Sequence, residues 1–510
     1  MEDSIDHKFS SATSDSKAGY KSVFKATSIF GGVQVFNIAI SLIRGKVLAV
    51  LIGTTGMGLN GLLMSSLTML QKASGLGLSE SAVRDISLAN SSNDLTRLTH
   101  TYTVFSRWIW VSAAIGFILT IALSPLLSKI AFGDNVHTIS FIMLSVTFIF
   151  GALTGGTYTL LRGMRKIKDL AKANIVGAVA GFLVSLPIFY FFRIDGVVPA
   201  IIATSVITYL VSIYFRKKVS LRIAAISLRD SFMDGKQMVS LGVILTVSSL
   251  LTAGVRFVIN AYITKSGGLA DLGIYNAGSS IMSGYVGIVF TAMGTDYYPR
   301  LSGLMESGTE WKDVVNQQAE IVVLILGPIL TLILLSAPIL IRLLLSSEFL
   351  PATGFIVWAT LSVLLRGIAW VSSFVIIAKG DNKLFLYTEL AAQVWFLSLS
   401  FMFYKFMGTD GLGISLTLGY LLSAIMLFFV LKKQYGFSLS KAAYRLVFFY
   451  LALLITSIAS IKIFEYPEAY LFTGIIFMLS LLISIKGLNS RMDLTMLLKT
   501  YYYSIFKYNR

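Results

Sequence analysis

Residues 321–341, IVVLILGPILTLILLSAPILI, contain no charged side chain, and neither do residues 411–431, GLGISLTLGYLLSAIMLFFVL. A helix of this length covers about 30 Å, the thickness of a bilayer's hydrocarbon core. Comparable runs recur along the whole chain. Its 510 residues are 55% hydrophobic and 13% charged, against about 25% charged in soluble domains. A backbone immersed in hydrocarbon must satisfy its own hydrogen bonds, so runs of this kind are read as membrane-spanning helices. The expected fold class is an all-α polytopic membrane protein with fourteen transmembrane helices between residues 27 and 485. The second span is read over 57–82 and the eighth over 272–296.

Lysine and arginine set the orientation. With an even number of spans both termini share one side. If that side is the cytoplasm, 31 of the 42 Lys and Arg fall in inner segments and six in outer loops. This bias places both termini in the cytoplasm. It also accounts for the net charge of +17 without nucleic acid, because the cations are spread over eight loops and tails. Residues 1–25, polar and serine-rich, are read as a disordered cytoplasmic tail. Residues 487–510 are read as a basic amphipathic one.

Several chemistries are excluded. There is no cysteine, hence no disulfide or thiolate site, and His7, His100 and His137 are too dispersed to hold a metal. No Walker-type Gly-Lys-Ser/Thr loop is present, and short outer loops leave no room for an outer catalytic domain. Catalytic residues, metal ligands and cofactors are therefore expected to be absent. Energy would come from a proton or sodium gradient, the membrane potential or substrate flux.

The chain carries an internal repeat. LIRGKVLAVLIG…MGLNGLLMSS (42–66) resembles GVRFVINAYITKSGGLADLGIYNAGSS (254–280). Arg44 then falls on Arg256, and Arg84, ending the next helix, falls on Arg300. The separation contains an even number of spans, so the copies are parallel repeats. Two six-helix lobes around a central cavity follow, an N-lobe over 26–215 and a C-lobe over 237–432. A basic linker over 216–236 would lie along the cytoplasmic membrane surface, and two added spans occupy 433–486. Pro187, Pro199, Pro328 and Pro338 are candidate bending points.

Arginines inside spans identify the candidate site. Gln34, Asn37, Ser41 and Arg44 fall within an arc of about 80°, and Thr246, Ser249, Thr252, Arg256 and Asn260 within about 120°. Lipid penalises such polar stripes, so each must face protein or water. Arg366 sits near the middle of another span, and Asn60 opens the second. Carboxylates are scarce at that depth. Asp296 and Glu389, candidates for proton or ion coupling, lie toward cytoplasmic ends, and Arg84, Arg300 and Asp296 are a candidate cytoplasmic gate. Arginine stays charged when desolvated and grips phosphate oxygens in pairs. A cavity with surplus arginine suits a phosphate- or diphosphate-bearing, partly apolar molecule.

At KATSIFGGVQVFNIAISLIRGKVLAVLIGTTGMGLNGL, at MGTDYYPRLSGL and in the 6 + 6 + 2 arrangement, residues 22–432 resemble the Wzx-type O-antigen flippases. These belong to the multidrug/oligosaccharidyl-lipid/polysaccharide (MOP) exporter superfamily. The resemblance implies a bacterial inner-membrane protein that is not an enzyme. It implies export of an undecaprenyl-diphosphate-linked oligosaccharide, an O-antigen or lipopolysaccharide unit, from the cytoplasmic to the periplasmic leaflet by alternating access. Membrane lipids, a polysaccharide polymerase and a chain-length regulator are the implied partners. Three alternatives remain: a MATE-like drug or organic-cation antiporter, which would need an anionic cavity; a membrane glycan polymerase or ligase, which would need a large outer loop; and a permease for a small anionic solute.

Overall fold

The computed structural model describes the backbone of residues 3–492, apart from 93, 220, 222, 308–310 and 466, and most side chains from Phe36 onward. Among the described residues thirteen α-helices run in order: α1 Asp3–Ser74, α2 Leu78–Ser91, α3 Leu95–Ala131, α4 Thr138–Leu144, α5 Val146–Gly163, α6 Ile167–Phe192, α7 Val197–Lys217, α8 Leu228–Ser307, α9 Trp311–Leu344, α10 Ala352–Ala378, α11 Asn382–Tyr435, α12 Lys441–Ile463 and α13 Glu468–Met492. No strand occurs among the described residues. Among the described residues ten stretches are long and apolar enough to cross a membrane, so this is a multi-pass membrane protein.

Four of the ten, 39 to 54 residues long, contain a break that splits them into two arms; a fifth, Thr138–Gly163, is divided only at Ser145, which keeps helical dihedrals (φ −54°, ψ −33°). Within α1, α8 and α11 the helix breaks at one glycine: Gly53 (φ 63°, ψ −165°), Gly268 (φ 85°, ψ 176°) and Gly408 (φ 58°, ψ −141°). Side-chain-bearing residues avoid these dihedrals. Between α6 and α7 the break is a 3-10 turn, Arg193–Gly196. The prolines do not set these breaks. Pro187 lies inside α6, and Pro328 and Pro338 inside α9. Pro199 stands in the first turn of α7, where a missing N–H costs nothing.

Two further expectations change. Residues 3–25, read as a disordered tail, are helical and continue into the first span, since extending an existing helix adds a hydrogen bond per residue without a new nucleus. The second span ends at Ser74, not at 82. Leu76 and Gly77 take positive φ, and a separate helix, α2, follows. Its buried residues Leu78, Ala82, Ile86 and Ala89 form one stripe, and Glu80, Arg84 and Leu88 face outward. The last basic tail was read over 487–510; α13 carries its first residues, and 493–510 fall outside those described.

The chain divides into two compact units, one of residues up to 52 with 62–257, the other of 53–61 with residues from 258 onward. In the first, Leu78, Ile86, Leu98, Phe105, Leu160 and Leu170 centre a core joining α2, α3, α5 and α6. Asp94 caps α3, its carboxylate accepting from Thr96 and Arg97 nitrogens at 2.9 and 3.2 Å, worth about 1 kcal/mol. In the second, α10 is the most enclosed span. The C-terminal pair packs on α9, where Gly327 lies under the Tyr450 ring and Gly487 against Leu324. Arg491 closes this end with a 2.6 Å ion pair from its Nε to Glu320.

Candidate functional site: membrane-embedded arginines and a glycine seam

Arg44 stands in the first arm of α1, half-buried. Its Nε is buried with no hydrogen-bond partner, and no carboxylate lies within ion-pair distance among the described residues. A buried unpartnered donor costs about 1–3 kcal/mol, more when charged. On the same face Asn37 is half-buried and Ser41 exposed; the Gln34 side chain lies outside those described. Arg256 is exposed and likewise lacks a carboxylate among the described residues. The hydroxyls of Thr246, Ser249 and Thr252 bond back to carbonyls of their own helix.

The stripe on α8 is narrower than its spacing implied. Asn260 is 1% exposed, and neither polar atom of its amide has a partner. It is sealed in the second unit, not displayed beside Arg256. Asn60 is half-buried with its amide oxygen unpartnered. Asn276 holds an unpartnered amide nitrogen against Gly61.

Arg366 is the one exposed residue from Ala352 to Ala378. Its guanidinium carbon stands 5.2 Å from the centre of the Phe290 ring, within cation–π range. Glu389 is half-buried in α11 without an ion pair among the described residues. Asp296 meets Arg300 one turn on, at 3.7 Å, with both side chains well exposed. Such a pair is worth at most about 1 kcal/mol.

Arg84 joins a cluster whose spacing gave no signal. Arg84, Asp85, Arg97, His100, Asp234 and Gln237 line a polar cavity of about 360 Å³ in the first unit, where His100 Nε2 lies 3.2 Å from the Asp234 carboxylate. Burial pushes the Asp85 carboxyl above its ordinary range, and the neighbouring Arg84 charge offsets part of that. Beside it the linker is strapped to α3. Arg107 donates to the Ile226 and Ser227 carbonyls at 2.8 Å each and to the Ser231 hydroxyl at 2.6 Å. The Ala224 N–H donates to the Thr103 hydroxyl at 2.8 Å. Arg107→Ala removes three charge-assisted bonds, each worth about 1.5–3 kcal/mol at most and less at this half-buried site. Limited proteolysis within 223–229 is expected to speed up several-fold in the variant; equal cleavage would mean that the strap contributes nothing.

A second feature absent from the spacing lies at the glycine breaks. A methyl group on Gly58 would overlap the Leu269 carbonyl and come within 3.1 Å of the Gly273 nitrogen. A methyl on Gly273 would overlap the Thr54 carbonyl and come within 3.2 Å of the Gly58 nitrogen. The contact is reciprocal. Thr54 and Gly58 follow Gly53 by one and five residues, as Leu269 and Gly273 follow Gly268. This backbone seam, all in the second unit, fixes the register of the repeat at 215 residues, from 53 to 268 and from 58 to 273. Pairing Arg44 with Arg256 was therefore three residues out of register, about 4.5 Å along a helix. Arg44 corresponds to Ile259 and Arg256 to Ser41. Both arginines fall in the first unit.

The comparisons with known proteins bear on both repeats. Residues 47–354, more than half the chain, match the family model described as polysaccharide biosynthesis protein. The chain belongs to that family. Among curated relatives of this family member, the Lipid III flippase of Escherichia coli (strain K12) is 22% identical over 376 residues, covering 72% of this chain and 88% of the relative. Among solved structures, the Lipid II flippase MurJ in an inward closed conformation superposes with TM-score 0.70 at 13% identity, covering 91% of this chain and 99% of that one. An inward-facing multidrug-resistance MATE transporter of the MOP superfamily superposes with TM-score 0.59 at 16% identity, covering 83% and 96%. The family member thus shares the fold of these solved structures.

Proposed function

We propose that this protein moves a polyprenyl-diphosphate-linked oligosaccharide, of the undecaprenyl and O-antigen type, from the cytoplasmic to the outer leaflet of a bacterial inner membrane. The observation that carries this reading is Arg44: a membrane-embedded guanidinium with a buried, unpartnered Nε and no carboxylate within reach among the described residues. Diphosphate oxygens supply the partners it lacks. The family match and the names of the flippase relatives agree with a lipid-linked glycan as cargo. Each of the four long stretches with a break between two arms is taken as two spans, which gives the fourteen read from the sequence; this even number, with the Lys and Arg bias, puts both termini in the cytoplasm.

The surplus cations also suggest a source of energy. An inside-negative potential favours outward movement of anions by about 2.3 kcal/mol per charge per 100 mV. With a diphosphate neutralised by arginine, the loaded protein feels little field, and the empty cationic cavity is drawn back to face inward. Glu389, half-buried and without an ion pair among the described residues, is the better candidate for ion coupling; Asp296 is paired with Arg300.

Reconstituted protein is expected to expose an inner-leaflet prenyl-diphosphate oligosaccharide to an added lectin faster than protein-free vesicles. An imposed inside-negative potential should accelerate turnover. Rates equal to protein-free vesicles would end the flippase reading, and indifference to potential would end the electrical return step alone.

A further inference from the structure

Helix α10 is mostly covered by protein, and its one exposed residue is Arg366. A mid-span cation is not left exposed to lipid, so the surface at Arg366 is wet. Trp370, Ser373, Phe374 and Ile377, all half-buried, continue the same face toward the end of the helix. The face below the cation is therefore aromatic.

Those aromatics are held in place from behind. Buried Phe290 lies under Arg366 and 5.4 Å from the Trp370 ring. Fully buried Tyr297 lies 5.9 Å from Trp370 and 5.8 Å from Phe374, and its hydroxyl donates to the Val371 carbonyl at 3.1 Å. Gly294 lets the indole approach the α8 backbone, since a methyl there would stand 3.3 Å from the ring. Trp370 and Phe374 pack edge-on at 4.9 Å. The result is a braced aromatic wall with one guanidinium at its upper end. Successive steps from Arg366 to Trp370 to Phe374 are about 6 Å each along the axis.

We propose that this wall is the subsite for the first sugar of a glycosyl diphosphate. Arg366 holds a phosphate oxygen and the ring borne by that phosphate lies against Trp370 and Phe374. A pyranose presents an apolar C–H face suited to an aromatic plane, and its hydroxyls stay in the water that Arg366 requires. The proposal rests on the flippase reading and adds to it a selection for glycosylated over bare carrier lipid.

The test measures binding to detergent-solubilised full chain, using a short-chain prenyl diphosphate with and without one hexose, and a soluble nucleotide-diphosphate hexose. Wild type is expected to prefer the glycosylated prenyl diphosphate by roughly tenfold, the upper range for one aromatic contact. Trp370→Leu keeps part of the apolar packing but removes the π-face; it should abolish that preference while still binding the bare prenyl diphosphate as wild type does, which shows that the chain remains folded. Trp370→Phe should keep part of it. Arg366→Ala should weaken both prenyl diphosphates by a similar factor, leaving their ratio intact. An unchanged preference in Trp370→Leu, or unchanged affinity for bare prenyl diphosphate in Arg366→Ala, overturns the subsite while leaving flipping intact. Equal binding of the soluble nucleotide sugar overturns its assignment to a lipid-linked ligand. Failure of wild type to bind either prenyl diphosphate would sink the flippase reading as well.

Discussion

Arg44→Ala combined with Arg256→Ala is expected to abolish display of the lipid-linked glycan in a strain lacking its own exporter, while the protein still inserts and folds. The two readings of these residues diverge on stability. A structural anchor would be paired, and truncating it would strand a buried carboxylate at a cost of about 3–5 kcal/mol. Neither arginine has such a partner among the described residues, and the Arg44 Nε is buried without any acceptor. Removing it relieves a desolvation cost. The alanine variants should therefore melt no lower than wild type. Loss of two charge-assisted contacts to a diphosphate, each about 1.5–3 kcal/mol, weakens binding on the order of a hundredfold or more. Lysine at either site should keep partial activity, since charge survives but the planar fork does not. Normal glycan display by the double alanine variant would falsify the cationic-site reading, and a melting temperature restored by lysine would return both residues to a structural role.

Gly58→Val and Gly273→Val are each expected to destabilise the protein by on the order of 3 kcal/mol, the upper range for forced overpacking. The atoms in the way are backbone carbonyls of Leu269 and Thr54, which cannot rotate aside as a side chain would. Either valine must push 53–61 away from 269–276. Because the contact is reciprocal, one substitution already breaks it, and the double variant should lose little more than either single one. Additive losses would mean that the two glycines act independently. Gly284→Val, with open space around its missing Cβ, is the control expected to leave stability unchanged. The absence of native cysteine makes a second readout simple: a cysteine at Asn60 should react with a water-soluble maleimide faster in the Gly58→Val background.

Much of this was legible from patterning. Uncharged runs such as 321–341 and 411–431 leave little freedom but a membrane helix, and both lie within spans, α9 and α11. The arginines were found because a guanidinium in such a run contradicts its surroundings. Register and orientation were harder. The repeat was aligned on its arginines, the most conspicuous residues, but what the fold repeats is a backbone contact between glycines, and a glycine carries no side chain to advertise its neighbour. Asn260 was placed on an open stripe because helical angle says which way a residue points, not what stands there; its neighbours in the second unit enclose it. The tie from Arg107 to the linker leaves no mark in the spacing, since its partners are carbonyls more than a hundred residues away. The polar tail before the first span was read by composition, and composition does not record that a neighbouring helix has already been nucleated.

The single-residue breaks at Gly53, Gly268 and Gly408 have a practical consequence. Where two helices meet at one glycine, there is no extended peptide for a protease to grip, no room for an inserted epitope and little for an antibody or a phage to hold. Mapping the sidedness of this protein by tags or cleavage at those positions would damage the fold before it reported anything. The informative insertion points are exposed, non-helical turns, 379–380 on one side of the charge bias and 133–136 on the other.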